Sequence, residues 1–103
     1  MKIEYSVEQR GKWCNVAGEL LPDIAPHLAH VATFAVNRGY GADAFWWFVT
    51  NIETGRSVRH STIKTSAIRS AKEFLDTKTP AQCRGRYSVH IKNPPLSLER
   101  SHR

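Results

Sequence analysis

The sequence predicts an α+β fold: one small domain with a mostly antiparallel sheet and two helices packed on it, in the order ββα-ββα-β. Three observations carry that expectation. Lys2 to Glu8 alternates apolar and polar residues, Phe45 to Val49 is an unbroken aromatic and β-branched run, and Ala67, Ile68, Ala71, Phe74 and Leu75 recur at helical spacing. With 103 residues, 41% of them hydrophobic, the chain can build one core and needs neither a metal nor a disulfide to fold. The domain is placed at 1–95, and 96–103 reads as a flexible basic C-terminal tail.

Each element follows from local pattern. In the first strand Ile3, Tyr5 and Val7 share one face, Gln9-Arg10-Gly11 makes a turn, and Lys12 to Gly18 returns as the second strand. Leu20-Leu21-Pro22-Asp23 breaks the pattern, and Asp23 is a suitable cap for a helix over about 23–38 with Pro26 in its first turn. Ile24, Leu28, Val31 and Ala35 give that helix a stripe, and alanines at 25, 29, 32 and 35 favour it. A competing reading pairs 30–37 as a strand with the aromatic run through Gly39-Tyr40-Gly41, because Val31, Thr33 and Val36 also suit a sheet.

The run Phe45 to Val49 reads as a central strand covered on both sides, since neither face is polar. It closes at Glu53-Thr54-Gly55, where Gly55 supplies the positive φ of a short hairpin loop, and Arg56 to His60 return. Thr65 is the preferred cap of the second helix, ahead of Ser61 and Thr62. Asp76 to Arg86 is a polar connector, and Tyr87, Val89 and Ile91 alternate with polar residues as a last strand ended by Asn93-Pro94-Pro95. The order suggests a loose duplication of one ββα unit.

Charge is distributed unevenly along this order. Residues 1–53 hold four Lys/Arg against six Asp/Glu, whereas residues 54–92 hold nine against two. Arg56, Arg59, Arg69, Lys72, Lys78, Arg84 and Arg86 fall on the returning strand, the second helix and the connector, three neighbouring elements able to present one positive surface. Such a surface attracts polyanions by counterion release. The expected partner is nucleic acid, DNA or RNA, or an acidic protein surface. The plainer alternative is a solvated face carrying the helix pairs Arg69–Glu73 and Lys72–Asp76. An exposed Trp46 or Trp47 would add a base-stacking platform, but a chain this small needs most of its rings for the core.

No catalytic or cofactor signature is present in the sequence, so a non-enzymatic binding protein without cofactors is expected. His27 and His30 supply two ligands at i, i+3 where a metal needs three or four. His60 and Ser61 are strand neighbours that point to opposite faces, against a nucleophile–base pair. Glu73 and Asp76 sit among basic residues, and Cys14 and Cys83 lack a CxxC setting. No apolar run of about 18 residues occurs and the polar opening is unlike a secretory signal, so a cytoplasmic protein with free thiols and no membrane contact is expected. The alternative function is a protein-binding adaptor or inhibitor, or a homodimer, joined through the nearly all-apolar first helix or an open strand edge.

Overall fold

The structure is a computed structural model that describes residues 1–9 and 11–82. Five strands run β1 (Lys2–Gln9), β2 (Lys12–Leu20), β3 (Phe34–Arg38), β4 (Trp47–Asn51) and β5 (Arg56–Ser61), followed by one α-helix, α1 (Lys64–Leu75). They form one antiparallel meander in the order β1-β2-β3-β4-β5. The expected last strand at 87–91 and the tail at 96–103 lie outside the described residues.

The first expected helix is not formed. Only Pro26–Leu28 makes a single 3-10 turn, and Phe34–Arg38 is a strand paired with β2 on one side and β4 on the other. The competing strand reading is the one adopted. Two ladders satisfy the β3 backbone while burying Phe34, Ala35 and Val36, and that tertiary gain outweighs the helix preference of four alanines. The duplication of a ββα unit falls with it; α1 packs on the sheet, and residues 80–82 are also helical.

Two apolar layers result. On one face of the sheet, Phe34, Val36 and Val49 meet Ala67, Ala71 and Leu75 of α1 together with Ile24, Ala25, Leu28 and Ala32 from the β2–β3 connection. The stripe read from the sequence is therefore the buried side of α1, with Ile68 and Phe74 packed at its margins. On the other face, Tyr5, Val7, Ala35 and Ile52 form a second cluster. The sheet curls over this cluster until its outer strands meet, with the Glu8 amide donating to the Gly55 carbonyl at 2.8 Å.

Local chemistry fixes the joints. Asn51 Oδ1 accepts from the Glu53 amide at 3.0 Å, and Gly55 takes φ 73° to close the β4–β5 loop as its sequence suggests. The N-cap of α1 is Ile63, not Thr65, and has no side-chain cap. Ser61 Oγ instead accepts from the Ile63 amide at 3.2 Å, turning the chain one residue ahead of the helix. At the other end of α1, His27 Nε2 lies 3.1 Å from both the Leu75 and Lys78 carbonyls, so the ring serves the helix terminus. Lys64 Nζ donates to Glu19 Oε1 at 3.0 Å, and that hydrogen bond and charge hold the Glu19 carboxyl below its usual range.

The aromatic run departs most from expectation. β4 starts at Trp47, so Phe45 and Trp46 belong to the preceding loop and are 78% and 37% exposed. Phe48 is only half-buried, and the strand is fully covered from Val49 onward. No helix among the described residues is long and apolar enough to cross a membrane.

Candidate nucleic-acid interface

β5 controls the arrangement of the site through one irregularity. Val49 pairs with Arg59 but Thr50 pairs with Ser57, leaving Val58 as an extra residue in β5. Because side chains alternate along a strand, one inserted residue reverses the faces of everything beyond it. Arg59 therefore shares the α1 side with Val49, and His60 shares the opposite side with Phe48. Val58 packs against the α1-side core between them.

On the α1 side, basic residues gather around a single ring. The Arg59 guanidinium lies 4.0 Å from the Phe74 ring centroid and the Lys78 ammonium 4.6 Å from it. Each such contact is worth about 0.5–1 kcal/mol at an exposed site and orients a cation without neutralising it. Arg56 and Lys78 line one small groove of about 70 Å³ with Ser57, Gln82 and the apolar Phe34, Val58, Phe74 and Leu75. A depression of that size suits a backbone group laid along it and is too small to enclose an organic ligand. Arg56 is tied to Glu8, with Nε 3.4 Å from Oε1.

Of the seven basic residues singled out by charge, the structure brings together Arg56, Arg59 and Lys78 and separates two. Lys72 Nζ contacts Asp76 at 3.6 Å and the Ile24 carbonyl at 3.4 Å, on the flank of α1 away from Phe74. Arg69 is exposed on the outer side of α1, opposite Ala67 and Ala71, and does not form the ion pair with Glu73 that their spacing allows. Arg84 and Arg86 lie outside the described residues.

Across β5 from the groove is a larger cavity that charge counting missed. It has a volume of about 390 Å³ and is lined by Glu8, Gln9, Asp43, Trp46, Phe48, Ser57 and His60. Its aromatic wall is ordered: Trp46 and His60 stack edge to face with centroids 5.1 Å apart, and Phe48 lies 5.5 Å from His60. The loop carrying Trp46 is held by backbone bonds, with the Gly39 amide donating to the Trp46 carbonyl and the Trp46 amide to the Asp43 carbonyl at 2.8 and 3.0 Å. Gln9 Nε2 ties it to β1 by donating to the Tyr40 carbonyl and to Asp43 Oδ2, at 2.9 and 3.1 Å. The only forewarning in the sequence is the length of the aromatic run, which exceeds what one five-residue strand can hold.

Among the described residues no three His, Cys, Asp or Glu side chains gather as a metal site, and Cys14 is a free thiol. His27 is occupied at the end of α1 and does not join His30 over a shared ligand set. The chain matches no known family model, and comparison with curated proteins and with solved structures returns no match.

Proposed function

We propose that this chain is a non-enzymatic binding protein that contacts nucleic acid through β5 and the C-terminal end of α1, with Arg56, Arg59 and Lys78 neutralising phosphates. The observation that carries the reading is the convergence of Arg59 and Lys78 on the Phe74 ring beside a groove that also holds Arg56. Preoriented cations lose little side-chain freedom on meeting a phosphate, and the exposed β5 backbone gives the strand a flat approach. Arg69 and Lys72, on other sides of α1, add to the surrounding positive field without joining the contact.

The adaptor reading loses its first motivation, because Ile24, Ala25, Leu28 and Ala32 of the supposed apolar helix are buried within the chain's own core. Its second motivation, an open edge on the expected last strand, lies outside the described residues, and the exposed loop carrying Tyr40 and Phe45, 57% and 78% exposed, adds support. Titration of generic DNA and RNA separates the two readings. Nucleic-acid contact predicts binding at about 50 mM salt that weakens steeply by about 200 mM, with a log–log slope of about −2 to −3 from three phosphate contacts. Arg84 and Arg86 would steepen the slope if they join. Absence of binding at low salt removes the proposal and leaves an acidic protein surface as the partner to test.

A further inference from the structure

We infer that the cavity between the β3–β4 loop and β5 receives an unpaired nucleobase, making the chain a reader of single-stranded nucleic acid; this rests on the phosphate-contact reading above and specifies its ligand.

Four features converge on a base. The site is an open depression of about 390 Å³, wide enough to admit a planar base from solvent, unlike the smaller groove. Its wall of Trp46, His60 and Phe48 offers stacking faces outside the packed core, and every base has a π-face for such a wall. The opposite wall is polar, with Glu8 paired to Arg56 and Asp43 accepting from Gln9, and so suits the polar edge of a base rather than a second ring. The fourth feature is position: Ser57 lines both the cavity and the basic groove, and Glu8 of the cavity holds Arg56 of the groove. One strand thus separates a polar, aromatic slot from a positive shelf.

That polarity matches a nucleotide with its base turned inward and its phosphate outward. A duplex hides its base faces and edges in the stack, so it can use the shelf but not the slot.

The test uses the intact chain and 12-residue oligonucleotides at low salt, with affinities read by anisotropy and Trp fluorescence read in parallel. Expected are quenching by oligo(dC) and oligo(dT), tighter binding of both than of a mixed duplex, and a roughly 5- to 100-fold loss of single-strand affinity in Trp46→Ala with duplex affinity unchanged. His60→Ala, on a different element, is expected to repeat that selective loss, and circular dichroism confirms that both variants fold. Running the same sequence as RNA tells which backbone is preferred. Duplex binding as tight as single-strand binding, or Trp46→Ala and His60→Ala both binding single strands like the parent while Arg59→Ala weakens all nucleic acid, overturns the base slot and leaves the phosphate contact standing. Failure of every oligonucleotide to bind overturns both.

Discussion

Asn37 and Phe48 are cross-strand partners on one face of the sheet, yet they belong to two different environments. At Asn37 the interior is sealed: Tyr5 Oη and Thr50 Oγ1 donate to Asn37 Oδ1 at 2.8 and 2.9 Å, and all three residues are buried. At Phe48 the same face opens into the cavity bounded by Trp46 and His60. The sealed part closes because β1 folds across it with Tyr5 and Val7. The open part stays open because the polar Glu8 and Gln9 succeed them along β1. A single curled sheet thus carries a polar network that specifies its packing and, across one residue pair, rings that stay open at the surface.

Substitutions in the two parts should have opposite signatures. Tyr5→Ala removes a large buried ring and leaves Asn37 short of a donor, so urea unfolding should show a loss of about 3–5 kcal/mol. Gly55→Ala comes next, at about 1–3 kcal/mol, since a Cβ there is strained at φ 73° and meets the Trp13 ring. Trp46→Ala, in the exposed loop, should cost about 1 kcal/mol or less while weakening single-strand binding. A stability loss for Trp46→Ala as large as that for Tyr5→Ala would erase the distinction between the two parts.

A further effect depends on pH and vanishes at neutrality. Burial pushes the Tyr5 hydroxyl well above its usual value of about 10. The folded chain then keeps a proton that the unfolded chain releases above about pH 10, so stability from this group is complete below that pH and falls as pH rises. The slope approaches about 1.4 kcal/mol per pH unit. Tyr5→Phe, somewhat less stable at neutral pH, should approach the parent above about pH 10 in thermal melts. Parallel curves would place Tyr5 in contact with solvent.

Much of the fold could be read from local pattern. The alternation in β1, the positive-φ glycine at 55 and the apolar stripe of α1 are signals contained within their own elements. Residues 23–38 could not be read that way, because β3 is stabilised by two distant strands that local propensity does not register. The basic half was visible as a count, but which cations meet was set by the extra Val58 in β5 and by the rotation of α1 that turns Phe74 toward Arg59 and Lys72 away. The aromatic cavity was hidden for a similar reason. Trp46 and Trp47 are adjacent and chemically identical, and only the start of β4 sends Trp47 to the α1-side core, between Arg38 and Lys64, and leaves Trp46 outside.

The central claim is that cations gathered on Phe74, not basic charge at large, contact nucleic acid. The direct measurement is the salt dependence of oligo(dC) affinity for the parent, Arg59→Ala and Arg69→Ala chains, two variants of identical net charge. The account predicts that Arg59→Ala weakens binding and lowers the magnitude of the log–log slope by about 1 while Arg69→Ala leaves the slope unchanged. Equal effects of the two substitutions would contradict it.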